Sequence, residues 1–404
     1  MEKVKTLFSG NIRKYGMGIA LISIMILFEI LTNGILLKPL NITNLILQNS
    51  YILILAIGML LVIVTGNIDL SVGSIAAFVG AIGAMLMINY KISAIPAMII
   101  CLIIGAAIGA WQGFWIAYVK IPAFIVTLAG MLIFRGLTLV ILQGQTLAPF
   151  PELFQSISSG FIPGKFTAII VGISISIIFV LLQIKDRNSK MKNGFDVQSV
   201  TLFIIKCLLT IGVINIFMYW LAAYNGIPTV LVLLTVLIIG YSFIANKTII
   251  GRHIYALGGN QKAAELSGVN TRKTLFLVYI NMGIIAALAG MIFAGRLNAA
   301  TPKAGANFEL DAIAACYIGG ASAMGGIGSV FGAIIGGFVM GVLNNGMSIL
   351  GIGVDWQQAI KGLVLLIAVA FDVYTKSKAT NVNNETKKEK DNISINKKVK
   401  TINS

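Results

Sequence analysis

The chain has 404 residues, 57% of them hydrophobic and only 11% charged, with a mean hydropathy of +0.93. Water-facing proteins carry roughly 25% charged residues, so a soluble fold is excluded, and apolar runs of near-span length recurring between residues 16 and 374 exclude one anchor on a soluble domain. The formal net charge of +16 is scattered between those runs and gathers on no single folded surface, which removes the electrostatic case for nucleic acid.

The runs are unbroken stretches of Ile, Leu, Val, Ala and Gly, without the alternation of an outer-membrane barrel. Helices are then the only spanning solution, because each satisfies its own backbone inside lipid. The sequence predicts an all-α polytopic membrane protein of about 10–12 transmembrane helices. In chain order, spans are expected near 15–36, 50–65, 70–88, 94–119, 123–142, 166–184, 201–223, 227–245, 275–295, 310–324, 327–349 and 356–374. Lys3, Lys5, Arg13 and Lys14 precede the first, but no small-x-small cleavage site follows it, so it is expected to be a retained span. The segments 50–65 and 310–324 are short and bordered by Gly or acidic residues, the signature of half-helices or re-entrant stretches. The domain plan is an N-terminal segment 1–14, a transmembrane domain 15–374 containing the loop 246–274, and a basic tail 375–404 too polar to fold.

Lys and Arg collect in the N-terminal segment, at Lys120, in 185–198, in 246–274 and in the tail, which predicts that these parts and both termini are cytoplasmic. Arg135, Lys206 and Lys361 fall inside or at the ends of apolar runs. Cys101, Cys207 and Cys316 lie in apolar runs without CxxC spacing and indicate neither a disulfide framework nor a redox pair. Two glycine ladders, Gly105/Gly109/Gly113 and Gly328/Gly332/Gly336 continuing to Gly337 and Gly341, predict close helix packing within one bundle.

Two polar clusters interrupt the apolar runs. Asn67, Asp69 and Ser71 sit between glycines at 65–73, where a helix break is the economical explanation. Glu309 and Asp311 open a second cluster with the same acidic start, and the two are candidate halves of an inverted repeat, where transporters of this build place their solute path. Carboxylates are costly in lipid, so these are expected at helix N-termini, facing protein or the interface. Trp111, Gln112, Phe124, Asn344 and Asn345, aromatic and amide side chains within the apolar runs, join Asn67, Asp69, Ser71 and Asp311 as candidate path residues. No intramembrane histidine, paired acidic ladder or P-loop is present, which argues against an ion-coupled pump and against ATP binding by a P-loop of this chain.

The segment 251–273 is too rich in structural signals to be a plain connector. Gly258 and Gly259 permit a sharp turn, Asn260 can cap a short helix over 261–266, Gly268 can stop it, and Asn270 or Thr271 can start the next span. Such an element, with Ala263, Ala264 and Leu266 beside Gln261, Lys262 and Glu265, is suited to enter a groove on a soluble partner.

Several ordered motifs across about 40–375 resemble the permease subunits of bacterial ATP-binding-cassette importers for monosaccharides. They are GNIDLSVG (66–73), PAFIVTLAG (122–130) with FRG (134–136), YALGGN (255–260) with LSGVN (266–270), LDAIAA (310–315), the glycine pairs 319–320 and 325–326, and LNNG (343–346). The extra spans and basic loop of 165–225 resemble the xylose and multiple-sugar branch, with Asn67 a departure from it. The resemblance implies a permease, multi-pass in the bacterial plasma membrane, which carries a monosaccharide of the xylose, galactose, glucose or arabinose class. It implies as partners a cytoplasmic ATPase, an extracytoplasmic sugar-binding protein and a second permease copy. It implies no cofactor on this chain, ATP being used by the partner, and ATPase docking through Tyr255, Gly258, Gly259, Asn260, Ala264, Glu265, Leu266, Ser267 and Gly268. The alternatives are a secondary transporter driven by an ion gradient, and a channel or scaffold.

Overall fold

Pro39 opens the helix around which the rest is arranged. Its fixed φ suits a first helical position, and the helix α2 (Pro39–Val64) that follows α1 (Ile12–Leu31) is apolar all round and buried without a break from Ile52 to Val64. A helix of that kind belongs at the centre of a bundle. The computed structural model describes residues 12–370 apart from 196 and 198; the expected tail 375–404, the end of the span 356–374 and the N-terminal segment through residue 11 lie outside the described residues.

After α2 come α3 (Val72–Ala84, extended by a π-helical turn Met85–Asn89), α4 (Ala94–Ala117), α5 (Ala123–Leu142), the short α6 (Glu152–Ser159), α7 (Lys165–Lys192), α8 (Val200–Ala222) and α9 (Thr229–Lys247). Two short helices follow, α10 (Ile249–Gly259) and α11 (Gln261–Leu266), then α12 (Thr271–Leu297), α13 (Phe308–Ile318) and α14 (Val330–Ile349). A last helix, α15, occupies 354–370 and forms a separate compact unit. The only strands among the described residues are β1 (Phe161–Ile162) and β2 (Ile227–Pro228), an antiparallel pair that ties the root of the α7–α8 hairpin together. Nine of the described helices are long and apolar enough to cross a membrane, with α1 a shorter apolar helix beside them. The all-α polytopic expectation holds.

The span expected at 50–65 is corrected: it begins at Pro39, and the helix is full length. Its first half carries Asn41, Asn49 and Ser50, but each is hydrogen-bonded, Asn41 across to Asn345 of α14 and the others to carbonyls one turn back. The segment expected at 310–324 is the half-helix α13, 11 residues long.

Glycine sets the tightest approaches. Gly105, Gly109 and Gly113 of α4 lie against Gly283, Tyr279 and Phe276 of α12, and a methyl at Gly109 would collide with the Tyr279 carbonyl oxygen. On α14, Gly332 and Gly336 lie against Gly319 and Ala315. With no hydrophobic gain available in lipid, such backbone contact supplies the dispersion that holds helices together. The three cysteines are buried and free. By contrast α7 and α8 expose Ile178, Leu181, Leu182, Leu208 and Leu209 over half or more of their surface, as lipid-facing helices do.

Candidate translocation path and coupling surface

The half-helix α13 and the helix α3 start from one place and run apart. Phe308, at the first position of α13, stacks on Tyr51 halfway along α2 with ring centroids 4.1 Å apart, and α13 continues beside the second half of α2, where the Cys316 thiol meets the Ala56 carbonyl. The first turn of α3 meets the same point: Gly73 abuts the Gly305 carbonyl and the Glu309 carboxylate. From there α3 runs the other way, with Gly80 beside Gly290 and Ala294 near the end of α12. Each of the two follows a long span through a returning stretch, 65–71 after α2 and 298–307 after α12, which is the arrangement an inverted pair produces.

The meeting point is polar and buried. Asp69 is 1% exposed; its Oδ1 accepts from the Ser71 backbone N–H at 2.8 Å and from the Ser71 hydroxyl at 2.6 Å. Gln112 of α4, also buried, donates from Nε2 to Ser71 Oγ at 2.8 Å, and Gly130 of α5 lies against that amide, so a methyl there would have to displace it. Asn67 belongs to the same break and turns back on itself, donating to Thr65 Oγ1 at 3.0 Å. Glu309 and Asp311 occupy the first turn of α13 and are buried, complementing its positive dipole end. Asp69 Oδ2 and Glu309 Oε2 have no protein hydrogen-bond partner although buried.

Of the nine candidate path residues, Asp69, Ser71 and Gln112 are thus hydrogen-bonded together, with Asn67 in the same break and Asp311 on the half-helix opposite. The other four are not brought to this point. Asn345 exchanges amide hydrogen bonds with Asn41 at 2.8 and 3.0 Å, tying the end of α14 to the start of α2, and Asn344 is its sequence neighbour. Trp111 and Phe124 lie on the outward face of α4 and α5, Phe124 being 57% exposed and Trp111 edge-on to Phe134. Arg135 is exposed on the same helix as Phe124.

The segment 251–273 folds largely as its caps imply. The Asn260 side chain accepts from the Ala263 N–H at 3.0 Å to start α11, Gly268 follows it with φ +84°, and Asn270 accepts from the Lys273 N–H at 2.9 Å to start α12. The turn expected at Gly258 and Gly259 is corrected: α10 runs through both, and the chain turns at Asn260. What Gly258 does is permit contact. It sits against the Val64 carbonyl and the Gly326 N–H, and Gly326 N–H itself donates to Val64 O at 2.8 Å. Tyr255 donates from its hydroxyl to Gly328 O at 2.8 Å. The exposed surface is α11: Ala264 is buried, Leu266 is 91% exposed, and Ser267 returns a hydrogen bond to Ala263 O. Thr271 donates to Glu265 Oε1 at 2.7 Å and Gln261 to the same oxygen at 3.3 Å; these bonds hold the Glu265 carboxyl below its ordinary value.

Three segments therefore meet at one spot: the end of α2 that leads into α3, the loop after α13, and α10. The glycine pair 325–326 was legible only as a motif; its positive φ angles of 80° and 72° and its contacts with Gly66 and Gly258 give it a physical role.

A bundle of apolar spans in which α3 and the half-helix α13 start from one buried polar point is that of a multi-pass membrane protein. A family model described as branched-chain amino acid transport system / permease component matches residues 41–369, and the chain belongs to that family. It is 40% identical over 376 residues to the xylose transport system permease protein of Escherichia coli strain K12, covering 92% of this chain and 95% of the relative. The xylose permease protein of Haemophilus influenzae strain Rd is 41% identical over 378 residues (94% and 100%), and the ribose import permease protein of Escherichia coli strain K12 is 34% identical over 332 residues (82% and 85%). The likeness read from the motifs, to permeases of sugar importers, is borne out by these relatives. No solved structure matches the chain significantly.

Proposed function

We propose that this chain is the membrane-spanning subunit of an ATP-driven importer for a monosaccharide, xylose first, in a bacterial plasma membrane with both termini cytoplasmic. The xylose and ribose transport of the relatives supports the substrate class, and the basic loops support the orientation. The observation that carries the mechanism is the contact of Gly258 with both Val64 and Gly326. A force applied to α11 by a docked ATPase passes through α10 to the segments that precede α3 and follow α13, so α3 and α13 are displaced at once. Asp69, Ser71 and Gln112, at their meeting point, would face the path when they part. Tyr255, Asn260, Ala264, Glu265, Leu266, Ser267 and Gly268 would form or support the docking element, with Leu266 as its apolar knob. A second copy would complete the path, and an extracytoplasmic binding protein would deliver the sugar.

The test is reconstitution of the chain with its ATPase and binding protein in proteoliposomes, followed by uptake of a panel containing xylose, ribose, arabinose, galactose and glucose. ATP-dependent accumulation led by xylose is expected. Uptake that survives ATP depletion but collapses with an ion gradient would replace this reading with a secondary transporter, and independence from any ATPase would replace it with a channel. Gly259→Trp, at a position with nothing within 4 Å, should leave the chain inserted while separating ATP hydrolysis from uptake.

A further inference from the structure

Arg135 is a cation in the interior of an apolar span. α5 runs from Ala123 to Leu142, so at about 1.5 Å per residue Arg135 sits about 18 Å from one end and about 10 Å from the other. It is exposed, between the outward-facing Leu132, Leu137 and Leu139. No hydrogen bond or ion pair holds its guanidinium among the described residues. An arginine against lipid at that depth is costly, and such residues face a water-filled cavity or an anion instead. The nearer membrane surface offers no easy exit, because helical side chains lean toward the helix N-terminus, which for α5 is the farther end.

The neighbours of Arg135 fix its level. Phe134 packs on Phe78 of α3 with ring centroids 5.3 Å apart, and Trp111 of α4 lies edge-on to Phe134 at 6.2 Å. Ala77, next to Phe78, lies against Gly305, and Gly305 and the Glu309 carboxylate both lie against Gly73. Arg135 therefore stands at the height of the point where α3 and α13 begin. Glu309 is 5% exposed, leaves Oε2 without a protein partner, and is within electrostatic reach of Arg135 as well as of Asp69 and Asp311. One level thus holds an outward indole, a planar cation and an unengaged carboxylate oxygen. A soluble anion would suit Arg135 but be repelled by the three acids, and a cation would suit the acids but not Arg135. A neutral polyol suits both. The guanidinium donates to hydroxyl oxygens in a fork, the carboxylate accepts from hydroxyl hydrogens, and the indole offers an apolar face to the C–H side of a sugar ring.

We propose that Arg135 and Glu309 are sugar-contacting residues of the translocation path, with Trp111 as the stacking surface beside them. This rests on the reading of the chain as a monosaccharide permease whose α3 and α13 part during transport. The chain is reconstituted with its ATPase and binding protein in proteoliposomes, and Arg135→Cys is treated with a membrane-impermeant methanethiosulfonate reagent, with and without excess xylose. Leu209→Cys on the α7–α8 hairpin is the lipid-facing control, and the three native cysteines are buried. Arg135→Cys should be labelled, xylose held by Glu309 and Trp111 should slow the labelling, and Leu209→Cys should stay unlabelled. Arg135→Gln should lower ATP-dependent xylose uptake about tenfold, the loss of one hydrogen bond to a charged group, at an unchanged melting temperature. Glu309→Gln, of the same shape, should also lower uptake. An unlabelled Arg135→Cys, labelling indifferent to xylose, a lowered melting temperature in Arg135→Gln, or full uptake by either glutamine variant would each overturn the assignment. The labelling needs no transport: a parent chain that imports no sugar counts against the permease reading, whereas an unlabelled Arg135→Cys beside a parent that imports xylose counts against this assignment alone.

Discussion

Gln112 and Glu265 illustrate how single polar side chains serve two different parts of the molecule. Gln112 brings α4 to the break before α3 through Ser71, which is in turn bound to Asp69. Replacing it with Leu removes the Ser71 partner inside a buried site, and the expected cost is about 1–3 kcal/mol, read as a lower melting temperature in detergent together with reduced uptake. An unchanged melting temperature would mean that the amide does not fasten α4 to the break. Glu265 is wholly exposed, yet its carboxyl is held below its ordinary value, first by Thr271 and then by Gln261. The sign follows directly: the ionised form is favoured in the folded loop, so the tie is fully present above the ordinary carboxylate range and is lost only as pH falls through the lowered value. In Thr271→Val the carboxyl should titrate at higher pH than in the parent chain. An NMR titration of the Glu265 side chain that finds the same midpoint in both would remove Thr271 as the main cause.

Helices read well where hydropathy alone decides them and badly where a neighbour does. The span 123–142 matches α5 end to end because Pro122 and the lone polar loops around it mark both limits. The first half of α2 was illegible, since a window average sees Asn41, Asn49 and Ser50 as polar and cannot see Asn345 across from Asn41. The acids of the two breaks could be placed at helix starts from dipole arguments, but their meeting, Gly73 against Glu309, joins residues too far apart in sequence for any local pattern. Gly258 and Gly259 misled for a related reason: glycine signals a turn in isolation, whereas here one of them is a contact surface. That difference is measurable. Gly258→Ala drives a methyl into the Val64 carbonyl, backbone that cannot turn aside, while Gly259→Ala meets nothing within 4 Å. The first should lower stability by about 1–3 kcal/mol and the second should leave the melting temperature in place. Equal melting temperatures would deny α10 its packing role. Gly109→Val should be at least as damaging as Gly258→Ala, because α4 and α12 touch through backbone there.

At the scale of the whole molecule, Trp111 and Phe124 pose the sharpest question, for they are well suited to a sugar yet face outward from a single chain. An outward face lines a path only if something covers it. Lipid would make these residues ordinary apolar contacts, whereas a second copy packed on the α4–α5 face would enclose them and place two sets of half-helices around one passage. The three native cysteines are buried, so an introduced thiol can report proximity against a low background. Phe124→Cys in membranes should form a disulfide-linked dimer under mild oxidation, and Leu209→Cys, 67% exposed on the α7–α8 hairpin, should not. If both cross-link equally, the contact is collision in the bilayer. If neither does while the solubilised chain has the mass of one copy, Trp111 and Phe124 face lipid, and the path must run through the single chain past Asp69, Ser71 and Gln112.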